Sequence, residues 1–101
     1  MQKIVAVTAC PTGIAHTYMA AEKLIQAAHT LSLNIKVETQ GAMGTEHKLT
    51  PQDISNADVV IIASDIPISE LNRFDNCHIF FLSIEEILID AKKSLKKRLP
   101  K

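Results

Sequence analysis

The 101-residue sequence predicts an α/β fold: a single-domain open parallel four-stranded sheet flanked by helices, with an active-site loop after the first strand. Three observations carry this. Four short runs rich in β-branched and apolar residues recur along the chain, namely KIVAVTA (3–9), NIKVETQ (34–40), DVVIIAS (58–64) and HIFFLS (78–83). Segments with helical spacing separate them, and a β-α-β order implies right-handed crossovers between parallel strands. Gly13, Gly41 and Gly44, the three glycines of the chain, all fall just beyond the ends of the first two runs.

The first and third runs are nearly continuous in apolar residues, as expected of parallel strands covered on both faces. NIKVETQ alternates instead, with Ile35 and Val37 on one side and Lys36 and Glu38 on the other, which predicts an edge strand. Residues 15–32 place Ala21, Leu24, Ile25, Ala28 and Leu31 on one helical stripe. TPQDI starts a short helix ending near Asn56, with Thr50 as cap, Pro51 in the first helical position and Asp53 in the first turn. Between 65 and 77, a short helical turn is expected around Ser69–Asn72. Ser83 and Glu86 fit a capping box for the last helix, whose stripe is Ile84, Ile87, Leu88, Ala91 and Leu95.

Composition narrows the function classes. At 47% hydrophobic and 22% charged, the chain is of ordinary globular type. MQKIVAVTAC is apolar but is broken by Pro11 and Gly13, far short of the roughly 20 residues of a membrane span. It also lacks the layout of a secretory signal, which predicts a cytoplasmic protein. The formal net charge is zero, yet six basic residues and no acid follow Ala91. Lysines at a helix C-terminus complement its dipole. With no aromatic residues interleaved for base stacking, nucleic acid is not an expected partner. Cys10 and Cys77 form neither a CxxC pair nor part of a cluster with zinc spacing. No metal and no cofactor are expected.

In open α/β sheets, ligands sit beyond the carboxyl ends of the strands. There the sequence offers ACPTGIAHT, TQGAMGTEH and SDIPIS, three loops expected to meet at one edge. Cys10 stands where a strand ends and a helix begins, so unpaired backbone N–H groups and the helix dipole would favour an anion, either a thiolate or a bound phosphate. A thiolate held there has a lowered pKa and is nucleophilic. Gly13 admits close backbone approach, and Thr12 and Thr17 supply hydroxyl donors.

His16 either packs at the first helical turn or acts electrostatically. Gln40 and Gly41 are candidate second-loop contacts. Gly41 is expected to need a conformation that only glycine takes easily, and Gln40 to reach the phosphate loop. His29 and His47 read as surface residues, and Cys77 as a packing residue. Asp65 at the end of the third run caps a turn or faces a partner. Arg73 is either a cation for the site or half of a structural ion pair.

The loop lacks G-x-x-x-x-G-K-[ST], which argues against nucleotide binding of the P-loop kind. It also lacks the arginine with which cysteine phosphatases close a similar cradle, and no orienting third group can be named for a hydrolase triad. A phosphorylated Cys10 would thus be a carrier and not a hydrolytic intermediate.

These residues carry a resemblance. KIVAVTACPTGIAHTYMAAEKL, KVETQGAMG, LTPQDISNADVVIIASD and RF at 73–74 closely resemble the IIB component of the bacterial phosphoenolpyruvate-dependent sugar phosphotransferase system, fructose-specific family. The likeness is densest through Phe74, and the RFDNCHIFF segment departs from the glycine-and-basic turn that relatives tend to carry after RF. It implies one domain over residues 1–101. A IIA phosphohistidine protein would donate a phosphoryl group to Cys10, cradled by Pro11, Thr12, Gly13, Ile14, Ala15, His16 and Thr17. The acceptor would be fructose or a fructose-like sugar imported by a membrane IIC permease, which would recruit the chain to the inner face of the membrane. A non-catalytic regulatory or anion-binding module using the same loops is the alternative.

Overall fold

The computed structural model describes residues 3–9, 14–41, 44–64, 66–75 and 77–98. Elements follow in the order β1 (Lys3–Ala9), α1 (Ile14–Thr30), β2 (Asn34–Gly41), β3 (Gly44–Glu46), α2 (Pro51–Ser55), β4 (Val59–Ser64), a 3-10 turn (Leu71–Phe74), β5 (Ile79–Leu82) and α3 (Ile84–Arg98). The sheet has five strands in the order β3-β2-β1-β4-β5. β1 is central and pairs in parallel with β2 and β4, and β5 extends the parallel set.

The fifth strand corrects the expected four. Gly44–Glu46 turns back antiparallel along the end of β2, matching Gly41 with Gly44 and Thr39 with Glu46. NIKVETQ is therefore not an edge strand along its whole length. Its first half is an open edge, while its second half is covered by β3, and burial rises from partial to complete across Val37–Thr39. The alternation in the sequence reflects the open half alone.

Helices α1 and α3 cover one sheet face, packing Ala20, Ala21, Leu24, Ala28, Ile87 and Leu95 on Ile4, Ala6, Val37 and Ile61. Alanines let α1 approach the sheet closely, and burying a side chain such as Leu24 is worth about 1.5–3 kcal/mol. Ile25, expected on the stripe, is instead 43% exposed. The buried face runs through Thr17, Ala20, Ala21, Leu24, Ala27 and Ala28, a spacing of three and four. α1 ends in a Schellman motif: Leu33 N–H bonds Ala28 O at 2.8 Å and Ser32 N–H bonds His29 O at 3.0 Å. Ser32 takes the left-handed position (φ 58°) usually given to glycine.

Among the described residues the opposite face carries α2 and the 3-10 turn, where Leu49, Ile54 and Phe74 cover Val5, Val7, Val60 and Ile62. Thr50 and Asp53 complete a reciprocal capping box with Pro51 opening the helix. The 3-10 turn lies two residues beyond the expected position. Ser83 Oγ accepts from Glu86 N–H at the start of α3. That helix breaks at Asp90, whose backbone is extended (φ −160°, ψ 88°). The Asp90 carboxylate then caps the second half by accepting from Lys93 N–H at 3.0 Å.

Candidate active site

The C-terminal ends of β1, β2 and β4 lie side by side because the three strands are adjacent and parallel. Ala9, the last residue of β1, stands between Gln40 and Ser64 in register. The loops after these strands therefore leave from one edge, as the sequence predicts. Cys10, Pro11, Thr12 and Gly13 follow Ala9 directly and lie outside the described residues, as does Asp65.

α1 begins at Ile14, four residues after Cys10, and its first turn holds no acidic side chain. Ile14 and Ala15 form its first turn. The leading backbone N–H groups of a helix lack intrahelical acceptors, and the dipole adds about half a positive charge there. His16 is exposed in this turn, whereas Thr17 is 1% exposed. The buried Thr8 hydroxyl donates to Thr17 O at 3.1 Å, tying β1 to the first turns of α1. A Cβ placed on Gly41 would sit 3.9 Å from Thr17 Oγ1, so the end of β2 also closes on this helix.

Gly41 has an ordinary strand conformation, which corrects the expectation of a glycine-only one; among the described residues the glycine at positive φ is Gly44, at +94°. The Gln40 side chain binds the segment after β4. Its Oε1 accepts from Ser69 N–H at 2.8 Å, and its Nε2 donates to Ser69 O at 3.3 Å and to Glu38 Oε2 at 2.7 Å.

Glu38 shares a face with Lys36, as alternation requires, but is fully buried and not solvated. Arg73 meets it with two parallel bonds, Nη1 to Oε1 at 3.0 Å and Nη2 to Oε2 at 2.9 Å. Leu49 N–H donates to Oε1 at 2.9 Å. Burial pushes the Glu38 carboxyl up, but Arg73, Gln40 and Leu49 together outweigh it and hold the pKa below 4.5. The same carboxylate raises the pKa of Arg73, whose guanidinium also lies 4.9 Å from the centre of the Phe74 ring. Arg73 is thus half of a structural pair, one of the two roles open to it in the sequence.

His29 and His47 are exposed, and His47 adopts a left-handed conformation (φ 54°). Cys77, half-buried against the Leu49–Phe74 cluster, precedes β5 and so lies at the opposite end of the sheet. Among the described residues, no group of three or more His, Cys, Asp or Glu could hold a metal ion. No helix among them is long and apolar enough to cross a membrane. Sequence reasoning placed Ser69 at the edge, as the last residue of SDIPIS, but missed Glu38. A carboxylate inside V-E-T was the one available signal.

Comparison with known proteins places this geometry. Residues 5–97 match the family described as PTS system, Lactose/Cellobiose specific IIB subunit. The chain is 46% identical over 97 residues to the PTS system fructose-like EIIB component 2 of Escherichia coli (strain K12), covering 96% of this chain and 92% of that protein. It is 56% identical over 72 residues, 71% of this chain and 11% of the relative, to the PTS system fructose-specific EIIABC component of Bacillus subtilis. Among solved structures, a predicted fructose-specific IIB from Escherichia coli superposes with a TM-score of 0.91 at 38% identity, covering 100% of this chain and 94% of that one. A domain from the fructose-specific IIABC component of Borrelia burgdorferi gives 0.89 at 44% identity, with 95% and 91% covered. The chain belongs to the PTS IIB family and is a phosphotransferase-system component of fructose type.

Proposed function

We propose that this chain is a phosphocarrier that takes a phosphoryl group from a phosphohistidine on a IIA partner onto Cys10 and passes it to fructose or a fructose-like sugar. The observation that carries the reading is positional. Cys10 follows the last residue of the central strand and precedes the acid-free N-terminus of α1. The Cys10 thiolate attacks phosphorus, an S–P bond forms, the P–N bond breaks, and the imidazole of the donor keeps the electron pair. A sugar hydroxyl then attacks phosphorus, the thiolate leaves, and the hydroxyl proton passes to solvent or to a partner base. Such transfers depend on positioning and charge stabilisation more than on acid–base groups. In this reading Pro11 to Thr17 hold the phosphoryl group, beside the positive end of the α1 dipole.

The fused EIIABC relative of Bacillus subtilis supports IIA and IIC partners for this chain. In this reading the chain works at the cytoplasmic face, and the sugar is delivered by a membrane IIC permease. The test is sugar phosphorylation in vesicles carrying a fructose-type IIC, supplied with the general phosphotransferase proteins and a IIA. Wild type is expected to form sugar phosphate and Cys10→Ser to form none. Phosphorylation of the chain without transfer to sugar would favour a regulatory module.

A further inference from the structure

The segment that follows β4 does not stay on its own side of the sheet. β1 lies between β2 and β4, yet Ser69 and Arg73 are both fastened to β2, through Gln40 and Glu38. Residues 66–74 therefore cross β1 as a strap. In-register residues share a sheet face, so Ala9, Gln40 and Ser64 all point toward the face that the strap covers. Ala9 is 1% exposed beneath it.

Besides an exposed Lys48–Glu70 ion pair at 2.8 Å, three ties hold the strap. Ser64 Oγ accepts from Ile66 N–H at 3.0 Å and donates to Ile66 O, turning the chain as it leaves β4. The Gln40 amide matches both the N–H and the C=O of Ser69. The Arg73 fork closes on Glu38, while Arg73 Nε reaches back to Glu70 O at 3.1 Å. These ties are ordered by one another. The fork fixes the Glu38 carboxylate, and that carboxylate claims Gln40 Nε2, which leaves Oε1 for Ser69 N–H. Ile66 and Leu71 of the strap remain exposed, 37% and 40%.

We infer that Glu38, Gln40 and Arg73 are positioning residues: a clamp that fixes the strap 66–74 across the end of β1 and so sets the wall against which phosphoryl donor and acceptor meet Cys10. The inference rests on the carrier reading above. Its mechanical content is that misplacing the wall by about an ångström costs transfer rate at saturation, not donor binding. Gln40 is the member to test, because its half-buried side chain holds both backbone groups of Ser69 as well as donating to Glu38 Oε2.

The experiment compares wild type, Gln40→Leu and Arg73→Lys in single-turnover phosphorylation by a phosphorylated fructose-type IIA over a range of donor concentrations. Amide exchange at Ser69 is followed by NMR. Gln40→Leu is expected to melt about 5–15 °C below wild type, having lost its bond to the Glu38 carboxylate, and to lose protection at the Ser69 amide. Its rate at saturating donor is expected to fall about tenfold or more, with half-saturation within about threefold. Arg73→Lys keeps the charge but loses the fork, and is expected to show the same split. It serves as the test should Gln40→Leu fail to fold. Full rates at saturation, or a loss lying wholly in half-saturation, overturn the clamp alone. Wild type that takes up no phosphoryl overturns the carrier reading, and the clamp with it.

Discussion

Replacing Arg73 with alanine tests the Glu38 pair energetically, and its cost can be worked from the geometry. Glu38 is fully buried and receives Nη1 at 3.0 Å, Nη2 at 2.9 Å, Gln40 Nε2 at 2.7 Å and Leu49 N–H at 2.9 Å. Truncating Arg73 removes two charge-assisted bonds and leaves a carboxylate in a dry site with two neutral donors. Breaking a buried pair in this way costs about 3–5 kcal/mol, a large share of the roughly 5–15 kcal/mol that holds a domain folded. The loss also has a pH signature. In wild type the folded pKa lies below 4.5, so Glu38 stabilises the fold above 4.5 and that contribution fades as pH falls through the folded value. Without Arg73, burial dominates and raises the folded pKa, so the variant regains stability as the carboxyl protonates on acidification. The difference between the two proteins should be full at pH 7 and clearly smaller at pH 4. Urea unfolding followed by circular dichroism at both pH values measures it. A loss below about 1 kcal/mol at pH 7, as for a surface pair, or an equal loss at both pH values would refute the reasoning.

Two further substitutions probe the same edge. Gly44→Ala forces a side chain into φ +94° and should cost about 1–2 kcal/mol. Gly41→Ala meets only Thr17 Oγ1 at 3.9 Å and should stay within about 0.5 kcal/mol of wild type, with thermal melts of both deciding the matter. Among the described residues the buried Thr39 hydroxyl has no hydrogen-bond partner, so Thr39→Val should be neutral or stabilising by about 1 kcal/mol. A clear destabilisation in urea would show that the hydroxyl is used.

Much of this architecture is legible in the sequence, for identifiable reasons. KIVAVTA and VVIIA are apolar on both faces because helices on one side and the Leu49–Phe74 layer on the other cover β1 and β4. The Thr50-Pro51-Asp53 box marks α2 because its side chains satisfy backbone groups within three residues. The meeting of three loops at one edge follows from strand order alone. Features that depend on distant partners were not legible. Glu38 reads as solvated until Arg73, 35 positions away, arrives to neutralise it. β3 is only three residues long and wholly exposed, with no apolar pattern to announce it. The end of α1 lacks a glycine because Ser32 accepts the left-handed position. The break at Asp90 hides inside an apolar stripe that continues across it. At the candidate site the position of Cys10 between strand and helix was readable, while the Gln40–Ser69 tie, joining residues 29 apart, needed the fold.

The most direct test of the account is the intact mass of the chain after incubation with phosphoenolpyruvate, the general phosphotransferase proteins and a fructose-type IIA, with Cys10→Ser run beside it. A gain of one phosphoryl mass in wild type and none in the variant is the predicted result. No gain in wild type with any fructose-type IIA, or an equal gain in both proteins, would contradict phosphoryl transfer through Cys10.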